Sequence, residues 1–111
     1  VHIQGLPESC FNHLEMAETK TQGNHLIEGV DFLARPNGPV TLVDDLEPRA
    51  RIQLQNDPPM NLTVVWTDPP RPMVCLEPWT APRQALNTGV RRIEIESGAM
   101  QSLKCSFVVL D

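Results

Sequence analysis

Leu62-Thr63-Val64-Val65-Trp66-Thr67 and Met73-Val74-Cys75-Leu76-Glu77, separated by Asp68-Pro69-Pro70-Arg71-Pro72, decide the fold class. Both runs are rich in β-branched and apolar residues, which suit a pleated, half-buried surface. The prolines between them cannot continue a central strand and instead stiffen a reversal. The arrangement predicts an antiparallel hairpin. With Thr67 opposite Pro72, Trp66 faces Met73, Val64 faces Cys75 and Leu62 faces Glu77. Directly opposed side chains share a face, so Glu77 would stand on an apolar face at its strand's end. A slip of one residue would move it to the opposite set.

Further strands are expected on either side. Ala50-Arg51-Ile52-Gln53-Leu54-Gln55 alternates polar and apolar residues with the period of a half-buried strand. Val40 to Asp44 reads the same way, as do Arg92 to Glu96 and Gln101 to Val109, with a tight turn at Ser97-Gly98 between the last two. Eleven prolines divide the chain into short strands joined by stiff turns. The class that follows is all-β, an antiparallel β-sandwich. Phe11 to Thr19 could make one or two helical turns ended by Gly23, or equally a loop.

The chain has 111 residues, room for one domain over residues 1–111. Its net charge is −5, and the only adjacent basic pair is Arg91-Arg92. A phosphate backbone demands a concentrated basic surface, so nucleic acid is an unsuitable partner. No apolar run is long enough to span a bilayer, and no basic amphipathic helix offers itself to a membrane surface. Cys10, Cys75 and Cys105 are odd in number and form no C-x-x-C, which fits a reducing, cytoplasmic setting. Cys75 and Cys105 lie in apolar runs, where a thiol normally packs as a small buried hydrophobe. Asn61-Leu62-Thr63 matches a glycosylation sequon by chance. Asp44-Asp45-Leu46-Glu47 reads as a solvated acidic turn balanced by Arg49 and Arg51.

Few residues suggest chemistry. Glu77 has two readings. Position alone favours an ordinary strand-end glutamate in solvent, since Glu is usually exposed. On an apolar face it would instead lose hydration and become useful in proton transfer. Trp66 and Trp79 lie close by in sequence, and an indole can stack on the C–H face of a sugar. Indoles are more often core or turn anchors. His2, His13 and His25 lack metal-ligand spacing, so no metal site is expected. His13 reads as a surface or capping residue. No glycine-rich phosphate loop or nucleophile elbow is present.

Val74-Cys75-Leu76-Glu77-Pro78-Trp79-Thr80-Ala81-Pro82-Arg83-Gln84-Ala85-Leu86-Asn87-Thr88-Gly89 resembles the aldose 1-epimerase (galactose mutarotase-like) family. The likeness is to a branch with a V-C-L-E-P-W-T core followed by A-L-N-T-G. Val64-Val65-Trp66-Thr67 is similar to a strand of the same branch, and Glu96-Ser97-Gly98 to its closing hairpin. The likeness runs from about Gly5 to Asp111. It implies the C-terminal portion of a large antiparallel supersandwich, with Glu77 as general base and an aldose as substrate. The base takes the anomeric hydroxyl proton while a histidine protonates the ring oxygen, and no metal or organic cofactor is implied. Asp31, in Gly29-Val30-Asp31-Phe32, resembles the family's sugar-binding aspartate, and Trp79 is expected at the pocket wall. The family's acid histidine sits in an H-P-Y-F motif that does not occur here, and none of the three histidines matches it. The resemblance therefore implies a chain cut just beyond that motif, which would associate with the missing N-terminal part or with itself. A noncatalytic carbohydrate-binding or assembly-forming β-sandwich is the alternative.

Overall fold

The structure, a computed structural model, describes residues 1–46 and 50–110. Nine strands and two one-turn helices are described: β1 (His2–Gln4), β2 (Ser9–Asn12), β3 (Ala17–Lys20), α1 (His25–Glu28), β4 (Phe32–Ala34), β5 (Val40–Asp44), β6 (Ala50–Asn56), β7 (Leu62–Thr67), β8 (Val74–Trp79), α2 (Ala85–Thr88) and β9 (Cys105–Leu110). They form two antiparallel sheets, one of order β1-β5-β6-β9 and one of order β3-β2-β4-β7-β8. The all-β sandwich architecture expected from the alternation is the one observed. None of the described helices is long and apolar enough to cross a membrane.

The β7–β8 hairpin forms, with a turn two residues longer than expected. Thr67 pairs with Val74, Trp66 with Cys75, Val64 with Glu77 and Leu62 with Trp79. The prolines account for the difference: Arg71 N–H donates to Asp68 C=O and Met73 N–H to Arg71 C=O, so the reversal keeps Pro72 and Met73 out of the ladder. A slip of two residues preserves side-chain parity. Glu77 therefore remains on the face of Leu62, Val64 and Trp66.

The five-stranded sheet carries an apolar cluster on each face. Cys10, Phe32, Ala34 and Val65 point inward and, with Val30, form a buried group against which Ile3, Leu26, Val74 and Leu76 pack. On the outer face, Leu33, Leu62 and Val64 are buried beneath Phe11, Trp66 and Trp79. Gly29 permits the turn from α1 into β4. Its φ of +75° lies in the left-handed region, and a Cβ there would come within 2.9 Å of Pro69 Cδ.

Three sequence expectations are corrected. Residues 11–19 are neither helix nor simple loop but a hairpin: β2 pairs with β3 from Ser9↔Lys20 to Asn12↔Ala17. The buried Asn12 side chain accepts the N–H groups of Leu14 and Glu15 at 2.8 and 3.0 Å, and Met16 at φ +53° completes the reversal. This side-chain-capped turn competes with helix for the same residues. Residues 92–96 form no strand, and the last strand begins only at Cys105, so no hairpin is built at Ser97-Gly98. Arg91 instead anchors this stretch to Pro59 C=O and the Asn61 side chain, while Ile95 remains exposed. Cys105 is exposed and Cys75 half-buried; of the three thiols only Cys10 is buried.

The acidic turn is partly described. The His2 imidazole donates to Asp45 at 3.0 Å, and this bond is the main reason that the Asp45 carboxyl is held below its usual range. Glu47 and Arg49 lie outside the described residues. The sequon is closed by the fold, because Asn61 is engaged by Arg91 and Thr63 is fully buried.

Phe32 is 1% exposed at the centre of the inner cluster. Phe32→Ala should lower stability by about 3–5 kcal/mol in urea denaturation. Val109→Thr, on an exposed strand face, should change it by no more than about 0.5 kcal/mol.

Candidate functional site

Strand pairing lays Glu18, Phe11, Leu33, Val64 and Glu77 in one row across all five strands. Alternation then puts His13, Asp31, Arg35, Trp66, Cys75 and Trp79 on the same outer face. The chemistry-bearing residues of the sheet are concentrated on that face.

Glu77 is held at both oxygens. The Trp66 indole N–H donates to Oε1 at 2.6 Å, and the Trp79 indole N–H donates to Oε2 at 2.8 Å. Trp79 sits two residues from Glu77 on the same strand face, and Trp66 opposes Cys75 on the neighbouring strand, so the two rings flank the carboxylate. A carboxylate has about four acceptor sites, which leaves roughly two for a further donor. The plane of the group is fixed while its capacity is not exhausted.

A second cluster adjoins the first. The register continues past Phe11↔Leu33 and Asn12↔Phe32 to bring His13 opposite Asp31, where the His13 amide donates to Asp31 C=O at 2.8 Å. The side chains repeat the tie, with His13 Nδ1 2.7 Å from Asp31 Oδ1. Because a carboxylate oxygen accepts, Nδ1 carries the proton, and the neutral ring is the Nδ1–H tautomer. Arg83 Nη2 donates to the other oxygen, Oδ2, at 3.0 Å. The His13 ring lies stacked on Trp79 at a centroid separation of 6.0 Å and an interplanar angle of 29°. His13 thereby links the Asp31 carboxylate to the indole that holds Glu77.

Glu77, Asp31 and Trp79 thus occur in one connected arrangement. His13, read from the sequence as a surface or capping residue, is buried, with a side chain only 2% exposed. No local pattern reveals this, because its partners come from 18 and 66 residues away. Trp66 is likewise more than a core ring, since its N–H reaches Glu77. Arg83 follows Glu77 by six residues, but its pairing with Asp31 depends on the fold.

Cys75 precedes Glu77 by two residues on the same face. Burial pushes its thiol up from the usual range, and the Glu77 negative charge adds to the shift while Arg71 opposes it. Its pH profile of alkylation is therefore a reporter of the Glu77 charge. In the Glu77→Gln protein the midpoint for Cys75 alkylation by iodoacetamide should move to lower pH, with a rate at neutral pH about two- to fivefold higher. Exposed Cys105 should react first in both proteins, and buried Cys10 last, as read by peptide mass mapping.

Among the described residues, no group of three His, Cys, Asp or Glu side chains is placed to hold a metal ion. No protein-family model, curated protein or solved structure matches the chain.

Proposed function

We propose that this chain is the base-bearing portion of an aldose mutarotase, in which Glu77 removes the anomeric hydroxyl proton while Asp31 and Trp79 hold the sugar. The observation that carries this reading is the convergence of a doubly oriented carboxylate, a second carboxylate and two indoles on one sheet face. Sugar sites combine aromatic C–H platforms with planar polar groups that bond hydroxyls, and this face supplies both.

The reaction asks for little more than positioned proton transfer. As Glu77 takes the O1 proton, the C1–O1 bond becomes a carbonyl and the C1–ring-oxygen bond breaks. An acid delivers a proton to the ring oxygen. Rotation about C1–C2 and the reverse steps give the other anomer. No metal or organic cofactor enters this scheme. The acid is proposed to come from a segment outside this chain, which would also make that segment, or a second copy, a partner of the exposed sheet surfaces. The free thiols suit a reducing, cytoplasmic setting.

A second reading is favoured by one feature. Both Glu77 oxygens already accept an indole N–H, so the carboxylate could serve as a clip joining β7 to β8 in a noncatalytic carbohydrate-binding or assembly module.

The two readings differ in outcome. If Glu77 is the base, then in the protein that includes the acid-bearing segment Glu77→Gln should slow anomer exchange by about 10²-fold or more, measured by polarimetry on freshly dissolved aldose, while sugar binding persists. If it is a clip, exchange is absent even from the protein that includes that segment and keeps Glu77, and Glu77→Gln lowers thermal stability instead. Trp66→Phe tests orientation separately: it retains the ring but removes the N–H to Oε1, and should lower the exchange rate by roughly tenfold, about 1.4 kcal/mol.

A further inference from the structure

The two sheets end in the edge strands β1, β9, β3 and β8, and all but one of these are blunted. β1 is only three residues long, β3 carries Glu18 and Lys20, and β8 carries Glu77 and Pro78. Shortness, charge and proline each discourage the addition of a further strand. β9, Cys-Ser-Phe-Val-Val-Leu, has none of these devices.

The ladder with β6 fixes which backbone groups β9 leaves open. Just before the strand, the Asp57 N–H donates to Lys104 C=O at 3.1 Å. These residues are directly opposed in the register that runs on from Asn56↔Cys105 to Arg51↔Leu110. Hydrogen-bonded and non-hydrogen-bonded pairs alternate along an antiparallel ladder. Ser106, Val108 and Leu110 therefore turn their N–H and C=O groups toward β6, whereas Cys105, Phe107 and Val109 turn theirs to the free edge. The side chains of these last residues share the face of Leu54, and all of them are exposed.

We propose that β9 pairs antiparallel with β9 of a second copy of this chain, about a two-fold axis at Phe107. The open groups are disposed symmetrically about that residue. Phe107 then opposes its own counterpart, and Cys105 of each copy opposes Val109 of the other. A shift of two residues in either direction would leave Cys105 or Val109 unmatched on each strand. Because the axis is perpendicular to the sheet, the exposed side chains of both copies fall on one face and cover each other. The pairing joins the two four-stranded sheets into one continuous sheet. An uncharged strand in a chain of net charge −5 suits a neutral partner strand and offers no ion pair to a charged peptide.

Each hydrogen-bonded pair contributes two bonds, about six in all. At one bond per 100–200 Å² this corresponds to roughly 600–1,200 Å² of buried surface, the lower end for a specific interface. The dimer is therefore weak and reversible, with a dissociation constant on the order of 10 μM. Glu77 stands in the other sheet, so a monomeric chain would leave its role untouched.

Sedimentation equilibrium on this chain should show a concentration-dependent monomer–dimer equilibrium. Phe107→Lys and Phe107→Glu each set like charges directly opposite across the axis and should weaken association by about tenfold or more. Mixed in equal amounts, these two variants should associate again, because opposite charges then meet. Val109→Cys tests the register without introducing a charge. It places a thiol opposite Cys105 of the other copy at a Cα separation of about 5.5 Å, within disulfide reach. Oxidised glutathione should then give a 105–109 link between copies, read by peptide mass mapping. Val108→Cys, whose side chain leaves the opposite face, should give no 105–108 link. A chain that remains monomeric at ~1 mM, about a hundredfold above the expected constant, overturns the proposal. So does a dimer that both Phe107 variants leave intact, or one that their mixture fails to restore. Links formed mainly between 105 and 105 or between 109 and 109 would reveal random collision and overturn it as well. Amide exchange identifies any other occupant of the edge. The Phe107 N–H should exchange fast in the monomer and slowly in the dimer; protection in a monomeric chain would mean that a different segment covers β9, and would remove the second copy.

Discussion

From Leu62 to Val65, β7 has no solvent face. Leu62, Thr63, Val64 and Val65 are each no more than 1% exposed, so the strand packs on both sides and hydrogen-bonds on both edges, to β4 and β8. Strands buried on both faces read as continuous apolar runs rather than alternations, and Leu-Thr-Val-Val-Trp departs from such a run only at Thr63. Val65 inserts into the inner cluster with Phe32 and Ala34, and Val64 into the outer one with Leu33. Each fully buried aliphatic side chain contributes about 1.5–3 kcal/mol. The two cores are therefore coupled through one backbone, and the outer face inherits the rigidity of the inner.

That coupling is what gives the Glu77 cluster its geometry. A carboxylate on a packed face is costly unless its oxygens are satisfied. Here the donors are aromatic N–H groups whose rings are already committed to the outer cluster, so orienting the acid requires little additional ordering of long flexible side chains. Asp31 is arranged in the same manner: backbone pairing fixes His13 opposite it, and Arg83 closes the other oxygen. Such doubly held carboxylates keep their direction while retaining acceptor capacity, which is the property asked of a base or of a hydroxyl-binding group.

The four-stranded sheet is organised differently. Val40 and Leu54 are buried, yet Phe107 and Val109, on the same face, are 54% and 74% exposed. β9 is an edge strand of six residues without charge or proline, lacking the usual devices that discourage pairing with another chain. The described surface thus has a firm side, where the site lies, and an apolar side with unsatisfied packing.

Much of the architecture was legible because it rests on local alternation. β5 and β7 fall on the residues expected, and β6 and β8 differ only at their ends. The face occupied by Glu77 survived an incorrect register because a two-residue shift conserves parity. Residues 92–96 show the limit: they alternate like a strand, yet they pair with none of the described strands, and alternation without a partner does not make a sheet. Residues 11–19 show another, where helix-favouring Leu, Glu, Met and Ala yield to an asparagine-capped turn between paired strands. The sequence by itself determined that the chain would be β, where most strands and breakers lie, and that Glu77 and Trp79 share a face two residues apart. Tertiary structure alone decided that His13 is buried, that Asp31 meets it and Arg83, and that Trp66 completes the hold on Glu77. The reason is physical: strand periodicity is written over a few adjacent residues, whereas these hydrogen bonds join groups 11 to 52 residues apart and exist only once sheet order and register have been set.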